Sequence, residues 1–343
     1  MQRELPRRLL GAIVALACMS GSWKSASAQI PTRSTAASSV ATQGNWVTWY
    51  VTSGRIRVLT QNLGGGASSR SSNGARTESF SVSSNNGVCQ LQYDQSNPAE
   101  TIHVDIQDNG DRAVVTVQPK AAEGPQLKFA QERGACSLTA KIGKQAWDLR
   151  GETIWHLFLA EPELCQKQLG PLLAIMRPNW KLAETANSLE EALLKAAADS
   201  HVGDTKRWDA WIDELASPSF AQRHAADRQL REAGRVIVPY LQNLDRSRLE
   251  AEQRARIQAI LLRYLGGDSE DSEQRLASQF LGDQRIWFSL LQRDDAAKRQ
   301  RAAEQLARLL NEKLDFNPAA DADTRKAQIE KLRPRFELPG KKE

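Results

Sequence analysis

Histidine is scarce in this chain of 343 residues: there are four, His103, His156, His201 and His224, and no two of them share a helix face at metal-ligand spacing. A zinc centre written into the sequence pattern is therefore unsupported, because such centres need ligands spaced to converge on one ion. Also missing are a G-x-S-x-G elbow and a Gly-Lys-Ser/Thr phosphate loop, so neither a hydrolase signature nor a nucleotide cradle is written here, and no cofactor is implied. Beyond residue 28 no stretch approaches 18 uninterrupted apolar residues, the length a spanning helix needs.

The first residues carry Arg3, Arg7 and Arg8, then the apolar run Leu9 to Ala17, then Ala-Ser-Ala at 26–28. That layout predicts a secretory signal peptide over 1–28, cleaved after Ala28, with an apolar run too short to span a bilayer. A competing reading acylates Cys18 and tethers the protein to a membrane. Cleavage removes Arg3, Arg7, Arg8, Lys24 and Glu4 from 46 basic and 41 acidic side chains, leaving 42 and 40. So small an excess gives no electrostatic case for nucleic acid. Three cysteines then remain, and in an oxidising compartment the expected disulfide joins Cys89 to Cys136, with Cys165 a buried odd thiol.

Two halves differ in period. After a polar linker over 29–43, residues 44–150 alternate apolar and polar, and 46–51, 55–60, 101–106 and 112–118 are predicted strands. Asn73-Gly74, Asn86-Gly87 and Asn109-Gly110 mark tight turns, since both residues tolerate positive φ. Gly64 to Gly74 is expected to be a flexible hairpin loop. The β domain is thus an antiparallel meander or small sandwich, and the fold class is α+β. A helical connector over 151–203 and an all-α region over 204–337 follow, about eight helices in all, then a disordered tail over 338–343. Ser188 with Glu191 and Ser247 with Glu250 match the capping box. Ser217-Pro218 is expected to open a helix, and Gly234 and Gly266-Gly267 to close two.

The helical half repeats R-x-x-A-x-x-x-L at Arg223, Ala226 and Leu230 and again at Arg299, Ala302 and Leu306, with Arg254, Ile257 and Leu261 between. The starts lie 31 and 45 residues apart, bracketing the period of stacked two-helix repeats. The segment Trp211 to Leu241 resembles a HEAT-like, armadillo-type repeat as found in exported bacterial proteins, and the resemblance extends over 204–337 at most. It implies a helical binding scaffold and brings no catalytic residue with it.

Four oxygen-bearing side chains, Asp315, Asn317, Asp321 and Asp323, crowd nine residues. An EF-hand loop counted from Asp315 would need glycine at its sixth position and an acid at its twelfth, where Ala320 and Lys326 stand. The segment is instead expected to join two helices, with Asp321 as N-cap and Pro318 ending the helix before it. Asp105 to Asp111 fails the same test. His156 and Cys165 evoke a nucleophile pair, but the residues that usually surround such a cysteine are absent. Trp46, Trp49 and Tyr50 form a candidate stacking surface for a sugar or a partner, with core packing the competing use. Trp155, Trp208, Trp211 and Trp287 are expected to fill seams between layers.

The expected function is an exported, non-enzymatic scaffold whose helical half binds an envelope protein or peptide. The alternatives are a wall- or polysaccharide-binding module reading through the β domain, and a hydrolase whose site is assembled from distant residues.

Overall fold

The computed structural model describes residues 30, 46–60, 63, 65–199, 205–233, 237–242, 244–265 and 270–336. The predicted leader, Cys18, most of the linker, Gly234, Gly266-Gly267, His201 and the tail 338–343 lie outside the described residues.

The chain is α+β, an antiparallel β region followed by helices. Eight strands form one sheet in sequence order: β3 (Gly66–Asn73), β4 (Arg76–Asn85), β5 (Val88–Ser96), β6 (Glu100–Gln107), β7 (Arg112–Pro119), β8 (Gln126–Glu132), β9 (Ala135–Ile142) and β10 (Gln145–Gly151). A separate hairpin precedes them, β1 (Val47–Thr52) and β2 (Arg55–Thr60). The alternation explains the sheet: Phe80, Leu91, Val104, Val115, Phe129 and Leu138 are all buried, while their chain neighbours are polar or partly exposed. One buried side chain of this kind contributes about 1.5–3 kcal/mol, so a register slip would be costly on every strand.

Ser53-Gly54 and Asn86-Gly87 make two-residue turns with positive φ at both positions, the geometry that matches strand twist. Asn109-Gly110 lies in a longer loop, and Asn73 pairs with Arg76, which leaves Gly74 and Ala75 as the turn. The expected flexible loop over Gly64 to Gly74 is instead largely strand β3. Backbone pairing from Gly66–Ser83 to Asn73–Arg76 defines this edge strand, whose mostly serine side chains present no alternating apolar face beyond Ala67.

Twelve α-helical segments fall among the described residues. The first, α1 (Ile154–Ala160), is buried on all sides from Ile154 to Leu159, as befits a helix apolar but for His156. After α2 (Pro162–Leu164), a π turn (Cys165–Leu169) and α3 (Gly170–Leu173) comes the long α4 (Leu182–Asp199). Then follow α5 (Thr205–Glu214), α6 (Phe220–Glu232), α7 (Val238–Gln242), α8 (Ala251–Leu265), α9 (Glu273–Phe280), α10 (Gln284–Leu290), α11 (Ala296–Leu310) and α12 (Ala322–Leu332).

Helix starts differ from several expected ones. Ser188 lies inside α4, and α8 starts after Glu250, whose N–H is capped by Gln253 Oε1 at 2.7 Å, so Ser247 is not its cap. The N-cap of α6 is Ser219, two residues past Ser217, whose hydroxyl accepts from the Ser219 N–H at 3.2 Å. Asn311, in the left-handed region at φ 52°, ends α11 well before Pro318.

Two cores result. Residues from Trp208 to Leu261 build a small helical core of their own. The larger core runs unbroken from the β strands through α1 and α4 to α9–α12, and includes Ile30 from within the predicted linker. The repeated R-x-x-A-x-x-x-L has a physical basis in both. Ala226, Leu230, Ala302 and Leu306 are buried, and Ile257 and Leu261 take the same places in α8. Each arginine turns back onto the loop ahead of its own helix: Arg223 donates to the Ser217 carbonyl at 2.8 Å, Arg299 to that of Arg293 at 2.7 Å, and Arg254 to that of Leu249. The likeness is longer than eight residues: 211–230 and 287–306 also share tryptophan, leucine and glutamine at Trp211 and Trp287, Leu215 and Leu291, Gln229 and Gln305.

Candidate functional site

The β region and the helices meet around α1, and two aspartates hold them. Asp271, just before α9, has a side chain only 1% exposed. Its carboxylate accepts from the backbone N–H groups of Ser53 at 2.7 Å and Gly54 at 2.6 Å, from Trp155 Nε1 at 2.8 Å, and from Arg275. Its own N–H donates to the Val51 carbonyl at 2.8 Å. Positive φ at Ser53 and Gly54 presents two successive N–H groups to one anion, a small nest.

Asp283 does the second job. Its Oδ1 caps α10 by accepting from the N–H of Arg285 at 2.9 Å and of Ile286 at 3.3 Å, while Oδ2 lies 2.9 Å from His156 Nε2. The other imidazole nitrogen, Nδ1, lies 2.8 Å from the Thr153 hydroxyl. Burial works against the charge of Asp283, but the bonds to His156 and the two N–H groups outweigh it and hold the carboxyl below its usual range. Hydroxyl, imidazole and carboxylate thus stand in line, the components of a nucleophile triad. Thr153, however, is 7% exposed and packs against Gly54, where even a Cβ would collide with it. A hydroxyl that no substrate reaches, and a carboxylate committed to a helix end, make this line a clamp between α1 and α10.

Beside the clamp opens a cavity of about 340 Å³. Strand β10 contributes Asp148 and Arg150 to its wall, α10 contributes Arg285, Phe288 and Ser289, and the C-terminal turn brings Arg333 and Phe336. Glu161, immediately after α1, faces the same space. Burial raises its carboxyl above the ordinary range, and Arg293 and Arg333, acting through space, do not undo the shift. Among the described residues nothing donates a hydrogen bond to that carboxylate. Phe288 and Phe336 stack with ring centroids 4.7 Å apart and form an apolar patch. Ser289 donates its hydroxyl to the Arg285 carbonyl at 3.0 Å, and both nitrogens of His156 are engaged, so no nucleophile and base open together onto the cavity. Gly151 lets β10 turn into α1 here, since a Cβ would run into the His156 side chain.

The residues singled out in the sequence fall elsewhere. Trp49 is 4% exposed and belongs to the core, Trp46 stacks on Phe80 at 6.0 Å, and Tyr50 is half-buried, so the three do not form an exposed platform. The expected disulfide is absent: Cys89, Cys136 and Cys165 are free and buried. Cys89 on β5 and Cys136 on β9 are separated by three intervening strands, which explains why they do not pair. Burial pushes the Cys89 thiol up to about 11 and the Cys136 thiol up to about 12. Cys165 donates to the Leu157 carbonyl at 3.3 Å while His156 faces Asp283, so these two residues act apart.

In the acidic joint three of the four side chains have a protein partner. Asp315 pairs with Lys331 at 2.6 Å, Asn317 accepts from the Ala319 N–H at 3.0 Å, and Asp321 caps α12 through the Thr324 N–H at 2.9 Å. In the segment from Asp105 to Asp111, Asn109 accepts from the Cys89 N–H at 2.7 Å and Asp111 pairs with Arg57, which ties a turn to its neighbours. No helix among the described residues is long and apolar enough to cross a membrane. No known protein family, curated protein or solved structure matches this chain.

Sequence reasoning passed over Asp271, Asp283 and Glu161. Asp283 carried a signal, an aspartate directly ahead of the helix 284–290, which is an N-cap pattern. Glu161, the acid that ends a helix apolar but for His156 and stands ahead of a proline, carried a fainter one. Asp271 carried none, because it stands among similar acids and two of its partners, Ser53 and Gly54, lie more than two hundred residues away.

Proposed function

We propose that the protein is an exported, non-enzymatic binding scaffold whose HEAT-like helical half holds an envelope protein or peptide. The observation that carries this reading is the cavity beside α10. Its arginines are already fixed by protein carboxylates and carbonyls, its largely buried phenyl pair adds a narrow apolar strip, and among the described residues one carboxylate is left without a donor. Pre-positioned polar groups around an apolar patch are what recognition needs. The carboxylate, imidazole and hydroxyl of Asp283, His156 and Thr153 are engaged in the clamp. Burial of Trp49 favours this reading over a sugar platform formed with Trp46 and Tyr50.

The test places a photo-crosslinking residue at Gln292, an exposed position on the cavity wall, and as control at Thr139 on the outer face of β9. The expected outcome is that the same one or two envelope polypeptides are identified from Gln292 and not from Thr139. Equal capture at both positions, or none at Gln292, would overturn the proposal.

A further inference from the structure

We infer that the cavity beside α10 takes a small zwitterion of about dipeptide size, its ammonium on Glu161 and its carboxylate on the spare N–H groups of Arg285 and Arg150. This deepens the binding reading above and rests on it.

Charge pairing in the wall points to the ammonium. Arg285 is matched by Glu152 at 2.7 Å, Arg150 by Asp148 at 3.3 Å and Arg333 by Glu330 at 2.8 Å. Among the described residues, Glu161 is the one charged side chain of this wall without a hydrogen bond, and a partly desolvated carboxylate without a donor is unfavourable until something donates to it. An ammonium supplies both the charge and the protons.

Donor counting points to the carboxylate. Arg285 uses Nε on the Phe336 carbonyl at 3.2 Å and Nη1 on Glu152, which leaves Nη2 without a partner among the described residues. Arg150 uses Nε and Nη2 on Asp148, leaving Nη1. Guanidinium groups already anchored on one side lose little freedom when they bind on the other. Phe288 and Phe336, stacked and only 7% and 6% exposed, give the cavity a narrow apolar strip beside these charged groups. A volume of about 340 Å³ suits a ligand of this size and excludes a folded partner from the interior. A neutral zwitterion also leaves the charge balance of the junction unchanged, which a simple anion or cation would not.

The experiment titrates the purified protein calorimetrically with Ala-Phe, N-acetyl-Ala-Phe and Ala-Phe amide. Saturable binding of Ala-Phe is expected, with each blocked end weakening it about tenfold or more. Glu161→Gln should weaken Ala-Phe by a similar factor while leaving the affinity for the N-acetyl compound unchanged, a selectivity that general loss of structure would not produce. Three results overturn the inference: no saturable heat from Ala-Phe up to about 10 mM, equal affinity for free and blocked ends, or an unaltered Glu161→Gln variant. Polypeptide capture at Gln292 without dipeptide binding removes the zwitterion and keeps the scaffold. Dipeptide binding without capture does the opposite.

Discussion

Asp271→Ala is the most informative single change. The native carboxylate is 1% exposed and accepts from four donors, two of them the adjacent N–H groups of the β1–β2 turn. Hydrogen bonds to a charged acceptor contribute about 1.5–3 kcal/mol each, but they share one group and do not add. Removing one member of a buried ion pair costs about 3–5 kcal/mol because its partner is left behind in a dry site. Arg275, 9% exposed, is that partner, so the expected loss is about 4 kcal/mol. Asp271→Asn keeps one acceptor oxygen but turns an amide N–H₂ towards donors, and about 2 kcal/mol is expected. The assay is urea unfolding followed by tryptophan fluorescence, since Trp155 reports on the same junction. Asp315→Ala serves as the control: that carboxylate pairs with Lys331 in full contact with solvent and its loss should leave the midpoint unmoved. A loss under about 1 kcal/mol for Asp271→Ala would refute the assignment of this residue as the anchor between sheet and helices.

Gly110→Ala should lower the melting temperature well beyond Gly74→Ala, because φ is +100° at Gly110 and a Cβ would strike the Ile56 carbonyl, whereas Gly74 has open space; calorimetry checks the order, expected at about 3 against about 1 kcal/mol. All three described cysteines should titrate as free thiols after denaturation and resist a thiol reagent in the native protein at pH 8, since burial raises each; intact-mass measurement showing a disulfide would refute this. Burial opposes the charge of Glu190, but Arg293 at 2.7 Å and Lys298 at 2.8 Å outweigh it and hold the carboxyl below its usual 4.5. Asp283 is likewise held below 3.8. Stability from a lowered carboxyl is complete above its unfolded-state value and is lost as pH falls through the folded one, so the melting temperature should be level near neutrality and drop below about pH 4. Glu190→Gln should cost about 3 kcal/mol at pH 7 and make that acid drop shallower.

The strands were legible because alternation is a covalent property of the extended chain. Arg55 to Thr60 matches β2 residue for residue, and the ends at 101–106 and 112–118 fall within one residue of β6 and β7. Edge strand β3 was not legible, since serine and glycine show no face and only pairing with β4 defines it. Helix starts were partly legible. Asp321 capped α12 as expected, but Ser188 and Ser247 matched a four-residue pattern that interior helix sequence also satisfies. The junction was least legible, because it is made by pairs such as Ser53 and Asp271 or His156 and Asp283, which only the folded chain brings together.

The repeat shows where local information stops. Arginine, alanine and leucine at matching places build the same helical hairpin twice, so the motif specifies how a helix leaves its loop. It does not specify what the hairpin packs against. Trp211 is half-buried beneath Arg207, whose guanidinium lies 4.8 Å from its ring, whereas Trp287 is fully buried and donates to the Leu281 carbonyl at 2.8 Å. Four residues before each tryptophan stand Arg207 in the first copy and Asp283 in the second. Arg207 is exposed, while Asp283 caps its helix and reaches His156 on α1. The non-repeated position therefore marks the hairpin that packs against α1. That hairpin is the one that carries Arg285 and Phe288 to the cavity wall.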